Sequence, residues 1–230
     1  MQYFSHIGQD RWVAEVFNLK KNGYFLDFGA FDGITISNTY WLEKTLMWNG
    51  ICVEPNPTFY SELCKLRTST TVNSALWPES RQKIEFCDAH GLSSFKIYQK
   101  CDCNSDVRIN ATLAIISVDT INPTELLHRF NAPKLIEYLN LDVEGCEYEV
   151  LSSIDLFEYK IALMTIEHNH EEEKKNKIRR YLHEYGYEVV QNRNDDYFFN
   201  RNTIKLISSD NYSDPTKTFK DIYSTYKIRE

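Results

Sequence analysis

The sequence predicts an α/β fold, a mainly parallel sheet with helices on both faces and one antiparallel strand at its end. Three observations carry this. Short apolar runs alternate with stretches of helical period, the pattern of strand–helix–strand crossovers. Several of those runs end in an acid or a glycine, as buried strands do where they open into loops. The last two strand-like runs flank a polar turn, which closes a hairpin and makes one of them antiparallel. A length of 230 residues with 42% hydrophobic side chains suits one domain, with an extra arm at most.

The elements follow in order. Gln9 to Asn18 sets Trp12, Val13, Val16 and Phe17 at helical spacing. Gly23 to Gly29 is an apolar run ending in an acid and a glycine, a buried strand entering a loop. Asn38 to Met47 is helical, with Leu42 and Leu46 on one face. Gly50 to Glu54 is a second strand, stopped by Pro55 and Pro57. Thr58 to Leu66 is a helix and Thr70 to Ser74 a third strand. Lys83 to Asp88 and Ser93 to Tyr98 read as added β segments. Ala111 to Val118 reads as a strand, followed by a helix from Pro123 to Phe130. Tyr138 to Val143 is a strand, Cys146 to Ser153 a helix, Ile161 to Glu167 a strand and Glu171 to Tyr185 a helix. Tyr187 to Gln191 and Tyr197 to Asn200 flank the polar turn Asn192 to Asp196. The domain is expected to span residues 1–207. Residues 208–230 turn polar and Tyr-rich and read as an arm with one short helix near Phe219 to Tyr226, available for oligomer contacts.

Composition excludes several classes. The net charge of -7 argues against long nucleic acid as the main partner, because phosphate binding needs a basic stripe. No apolar run approaches the ~20 residues of a membrane span. Met1 to His6 lacks the basic start and apolar block of an export signal, so a cytoplasmic protein is expected. Cys52, Cys64, Cys87, Cys101, Cys103 and Cys146 therefore read as free thiols. Cys101-Asp102-Cys103 without a second pair is too little for zinc.

In an open parallel sheet, ligands bind beyond the carboxyl ends of the strands, where the winding reverses. The first strand ends Asp27-Phe28-Gly29-Ala30-Phe31-Asp32-Gly33. Its glycines permit a sharp turn and close backbone approach, but they are not the three of a dinucleotide fingerprint. Acids on both sides of the turn disfavour pyrophosphate and favour an ammonium group or ribose hydroxyls. An ordinary acidic turn is the alternative for this stretch alone. Glu54, at the end of the second strand, is placed to accept both hydroxyls of a ribose. Asp142 and Glu144 bracket the end of a later strand, ahead of a helix whose own acids, Glu147 and Glu149, suit its macrodipole. Glu167-His168-Asn169-His170 puts an acid beside an imidazole, a pair suited to general-base work or metal binding. Asp142, Glu167 and His168 are a candidate set for a hard divalent cation, Mg or Mn. Capping of the next helix is the alternative for His168 and Asn169.

Taken together, these strand ends resemble the FkbM family of S-adenosylmethionine-dependent methyltransferases. The resemblance is carried by Ser5 to Asp10, Phe25 to Gly33, Val53 to Pro57, Leu141-Asp142-Val143-Glu144-Gly145-Cys146-Glu147, Ile166 to Asn169 and Asp195 to Phe198. It runs from about residue 5 to residue 200; the 99–110 stretch and the tail after Asn200 fall outside it. It implies a class I methyltransferase fold, Rossmann-like, with a seven-stranded sheet whose C-terminal strand is antiparallel. It implies S-adenosyl-L-methionine as cofactor, with Asp27, Gly29, Ala30, Asp32 and Gly33 lining its methionine end. Glu54 would hold the ribose and Asn56 would lie near the adenine. Ser93 matches the family's serine after the third strand, and Gln9 and Asn38 also reach the cofactor. Asp142 and Glu144 would sit beside the methyl group.

The reaction expected is in-line displacement at the sulfonium methyl, with the protein aligning the reactants and accepting a proton from a hydroxyl. His168 is the expected base, Asp142 and Glu167 position the hydroxyl directly or through the divalent ion, and Glu144 is the rival base. The family implies O-methylation of a glycan or glycosylated small molecule. The alternatives are methylation of nucleic acid or protein, and a non-catalytic domain that binds S-adenosylmethionine and acts through partner contacts.

Overall fold

The computed structural model describes residues 3–192 and 195–226; Arg193 and Asn194 of the expected polar turn and the end of the tail lie outside them. The first half comprises α1 (Gln9–Val16), β1 (Tyr24–Phe28), α2 (Tyr40–Leu46), β2 (Asn49–Val53), α3 (Pro57–Leu66) and β3 (Thr70–Val72). Then come β4 (Ala75–Leu76), β5 (Lys83–Asp88), β6 (Ser94–Phe95), α4 (Ser105–Ala111), β7 (Ala114–Ile121) and α5 (Pro123–Arg129). The second half adds β8 (Leu135–Leu141), α6 (Glu147–Ser152), β9 (Lys160–Glu167), α7 (Glu172–Glu184), β10 (Glu188–Gln191) and β11 (Asp195–Phe199). Helices α8 (Arg201–Ser208) and α9 (Pro215–Tyr226) end the described chain.

The main sheet has seven strands in the order β10-β11-β9-β8-β1-β2-β3. The pairs among β3, β2, β1, β8 and β9 are parallel. The winding reverses at β1, which has β2 on one side and β8 on the other, so the crevice forms at the ends of these three strands. The closing strand β11 is antiparallel to both β9 and β10 and lies between them. That corrects the expected position at the sheet's end. Every residue of β11 is buried, whereas β10 is largely exposed; the aromatic Tyr197-Phe198-Phe199 run takes the interior place and Glu188-Val189-Val190-Gln191 the edge.

Strand alternation divides the core in two. Leu26, Phe28, Leu139, Leu141, Met164 and Ile166 face one apolar cluster, closed by Val150 of α6 and Leu182 of α7. Phe25, Tyr138, Leu163 and Tyr197 face the other, closed by Trp12 of α1 and Leu42 of α2. Towards the strand ends the second face turns polar. Asp27, Asn140 and Thr165 stand in register on β1, β8 and β9. The Asn140 amide donates to Asp27 at 2.9 Å and Thr165 Oγ1 donates to Asn140 Oδ1 at 3.2 Å.

Three differences from the sequence reading have physical reasons. A second sheet, β4-β7-β5-β6, covers the middle of the chain. Within it β6 is only Ser94–Phe95, because Lys96–Tyr98 is a tight 3-10 turn. Strand β7 starts at Ala114 because residues Ser105–Ala111 form α4, whose buried member is the charged Arg108, not an apolar stripe. The tail is built into the second core: Trp12 Nε1 donates to the Pro215 carbonyl at 3.1 Å, Phe219 packs edge-on to Tyr197 at 5.0 Å, and Ile222 is buried. Among the described residues no helix is long and apolar enough to cross a membrane.

Candidate functional site

The crevice is shaped first by Gly29. Its φ is +92°, and a Cβ there would stand 1.8 Å from the Asp142 carbonyl oxygen. Only glycine lets the ends of β1 and β8 come this close. The next turn is tied to β2: Phe31 N–H donates to Glu54 Oε2 at 2.9 Å, and Asn56 N–H donates to Glu54 Oε1 at 2.8 Å. Burial pushes the Glu54 carboxyl up to about 7, against the pull of these two N–H groups. Each oxygen keeps a lone pair for a ligand hydroxyl.

Gly29, Ala30, Asn38, Glu54 and Ser93 line the crevice, with Asp27 at its floor. Asp27 accepts from Thr39 Oγ1 at 2.5 Å and from Asn140, and Arg67 Nη1 stands 3.7 Å away. Burial raises its pKa and Arg67 opposes the rise. Asn38 donates to Asn140 at 2.7 Å, while its Oδ1 finds no donor among the described residues. Ser93 Oγ donates to the His90 carbonyl at 2.6 Å and accepts from Ala89 N–H at 3.0 Å, holding the loop that forms the opposite wall.

Four residues expected at the cofactor lie outside the crevice lining. Asp32 caps its own turn by accepting from Ile34 N–H, Thr35 N–H and Thr35 Oγ1. Gly33 packs on Leu63 and Arg67. Asn56 caps α3 through Thr58 N–H and donates to Asp88 at 2.8 Å. Gln9 donates to Asp195 at 2.7 Å and accepts from Ile7 N–H. The side chains of Asp32, Asn56 and Gln9 hold the surrounding backbone in place. Conversely, Phe31, Phe86 and Phe95 line the crevice. Phe31 meets Phe59 at 4.2 Å and Phe86 meets Phe95 edge-on at 6.0 Å. Isolated aromatics in a folding core carry no sequence signal for ligand contact.

At the far end, oxygens of Asp142, Glu144 and Glu167 lie within 4.8 Å of one another. Burial pushes Asp142 up to about 7, with a hydrogen bond to Glu167 opposing it. Burial and then the Asp142 charge push Glu144 up to about 8, although Arg108 opposes both. Glu167 is raised by burial and by the charges of Asp142 and Glu144. Arg108 Nη2 reaches Glu144 Oε2 at 2.6 Å and grips Asp102 with two nitrogens at 3.0 and 2.8 Å. Nothing in the polar α4 sequence announced that contact. Asn169 Nδ2 donates to Glu167 Oε2 at 2.7 Å.

His168 is not in this group, which corrects the expected cation set, and it lies outside the crevice lining, apart from where the expected base would stand. Successive residues face opposite sides of a strand end. Glu167 faces the acids, and His168 turns towards β11, with Nε2 3.8 Å from Asp196 and Nδ1 accepting from His170 N–H. Burial pushes its pKa down to about 4, so the imidazole is neutral.

Residues 27–189 match the methyltransferase FkbM domain. The chain belongs to that family. This FkbM protein has no match among curated proteins. Solved structures similar to it include precorrin-6y C5,15-methyltransferase from Geobacter metallireducens GS-15, 11% identical over 83% of this chain and 84% of that one, with a TM-score of 0.45. A human methyltransferase 10 domain containing protein is 10% identical over 87% of this chain and 85% of that one, TM-score 0.42. TYW2 of M. jannaschii in complex with AdoMet is 14% identical over 87% and 78%, TM-score 0.37. The FkbM chain has the class I methyltransferase fold and is an S-adenosylmethionine-dependent methyltransferase. The Gly29 cradle, the open lone pairs of Glu54 and the unpartnered Asn38 Oδ1 fit that cofactor.

Proposed function

We propose that this FkbM methyltransferase transfers a methyl group to a hydroxyl of a sugar, a glycan or a glycosylated small molecule. The observation that carries the reading is the group of three carboxylates, Asp142, Glu144 and Glu167, at the ends of β8 and β9. S-adenosylmethionine, when bound, supplies an electrophilic methyl on a sulfonium. Glu54 would accept the ribose hydroxyls, and Gly29 with Ala30 would let the methionine end approach the backbone. That leaves the acids for the acceptor. Carboxylates accept hydrogen bonds from neighbouring hydroxyls and so align a polyol for in-line attack. A hydroxyl is a poor nucleophile near neutral pH, and an adjacent carboxylate takes its proton as the new bond forms. Arg108 holds one oxygen of Glu144, which fixes the direction of the other.

A nucleic-acid acceptor fits less well, because its phosphates would face these acids on a chain of net charge -7. The test is methyl transfer from labelled S-adenosylmethionine to a panel of saccharides and glycosides, with RNA and protein in parallel. Label is expected on a saccharide hydroxyl, with little dependence on salt. Label on RNA alone, falling steeply with salt, would overturn the reading. So would cofactor binding without transfer to any member of the panel, which is the behaviour of an interaction domain.

A further inference from the structure

We propose that Arg67 is a positioning residue of the cofactor site: through Thr39 it aims the Asp27 carboxylate at the ammonium group of the methionine end. The proposal rests on the reading of Asp27 as the acid at that end. The Arg67 side chain is fully buried, its guanidinium carbon 5.3 Å from the centre of the Phe25 ring and 5.9 Å from that of Tyr40. A buried guanidinium is costly unless its donors are used. Here each nitrogen has a partner. Nε donates to Glu43 Oε2 at 2.8 Å, Nη1 to the Gly33 carbonyl at 3.2 Å and Nη2 to Thr39 Oγ1 at 2.8 Å. A Cβ on Gly33 would stand 3.0 Å from Arg67 Cγ, so the turn after β1 rests on the arginine stem.

The Thr39 hydroxyl links this arginine to the crevice. A guanidinium only donates, so Thr39 Oγ1 accepts from Arg67 and its own proton is left for Asp27. That second bond, to Oδ2, is 2.5 Å long. Asn140 donates to the other oxygen, Oδ1. Both oxygens of Asp27 therefore accept, which fixes the plane of the carboxylate at the crevice floor and leaves a lone pair on each. Arg67 Nη1 stands 3.7 Å from Oδ2, too far for a hydrogen bond. Glu43 takes the close contact instead, so the arginine places a positive charge beside Asp27 without covering it. The other titratable groups around Asp27 are Cys52 on β2, Tyr138 on β8 and Glu54. Burial raises the thiol and the phenol, so both stay neutral. Arg67 is the cation that opposes burial and the Glu43 charge at Asp27. Without it Asp27 would take up a proton and lose the charge that attracts an ammonium group.

The experiment measures, by calorimetry on the full chain, the affinities for S-adenosylhomocysteine and for 5′-methylthioadenosine, which shares its adenosine but lacks the amino-acid end. The ratio of the two cancels what Glu54 and the other adenosine contacts contribute, at any pH. In Arg67→Met the ratio is expected to fall at least about tenfold near neutral pH, through the homocysteine ligand alone. It should recover as pH rises and Asp27 loses its proton, whereas the parental ratio should stay nearly level. Arg67→Lys keeps the charge and should hold the ratio nearer the parental value than methionine does. Equal loss of affinity for both ligands, with the parental ratio kept at every pH, marks a purely structural arginine and overturns the proposal. Should Arg67→Met not fold, Thr39→Val decides, because it removes the linking hydroxyl and leaves the guanidinium. A lowered ratio is expected there, and a parental one overturns the proposal. Asp27→Asn separates the two readings. A parental ratio in that variant removes Asp27 from the methionine end and the proposal with it. A lowered ratio there, beside a parental one in Arg67→Met, removes the role of Arg67 alone.

Discussion

Glu54 stands at the end of β2 with both carboxylate oxygens already accepting backbone N–H groups. Its pKa of about 7 follows from burial, with Asp27 and Asp88 as the neighbouring negative charges. Ribose hydroxyls donate to the ionised form, so binding favours loss of the proton. The sign is therefore fixed: affinity for S-adenosylhomocysteine should rise as pH passes upward through about 7 and then level off. Below that pH it should fall by up to about tenfold per unit. Calorimetry across this range tests it, and Glu54→Gln should bind about tenfold more weakly with that slope removed. At this scale the strand-end acids were legible in the sequence, because an acid after an apolar run marks a crevice. That Asp142 meets Glu167 was expected; that Glu144 joins them and His168 does not was not legible. Glu144 joins Asp142 and Glu167 through a left-handed residue, φ +56°, and His168 turns away because it is the next residue after Glu167.

Helix α4 shows what one buried charge does for an element. Arg108 is fully buried and donates to the Leu92 carbonyl at 2.9 Å as well as to Asp102 and Glu144. It thus pins three stretches of chain, including one wall of the acid cluster. Replacing it with methionine would leave two buried acids without their cation. Such a loss costs about 3–5 kcal/mol. The expected outcome for Arg108→Met is faster hydrogen exchange across residues 92–112, while β1, β8 and β9 stay protected. Uniform loss of protection would show instead that α4 is inseparable from the sheet. Arg108→Lys keeps the charge but loses the paired grip on Asp102, and should lie between the two.

At the scale of the molecule, α9 closes the face opposite α6 and α7. Phe219 and Ile222 cover Trp12 and Tyr197, and the Ser213 N–H donates to the Val16 carbonyl at 2.8 Å. A chain ending at Ser208 would expose this part of the second core. Losing burial of two large apolar side chains should lower the melting temperature by about 10 °C. Calorimetry checks this, with a red shift of tryptophan fluorescence reporting Trp12. An unchanged melting temperature would mean that the tail is an appendage after all. Tail residues look polar because only one side of a short amphipathic helix is buried, and a count of residue types averages over both sides.

Local pattern determined the alternation of strands and helices, the glycine turn after β1, and the acids at the ends of β2, β8 and β9. These depend on neighbours along the chain, and a sequence displays neighbours directly. Tertiary structure alone decided that β11 lies inside the sheet, that α4 sends a guanidinium to Glu144, and that His168 leaves the acid group to Asn169. Each of those depends on which face of an element meets a partner remote in sequence. That choice is made by burial across the whole core, where charge and shape must be satisfied at once.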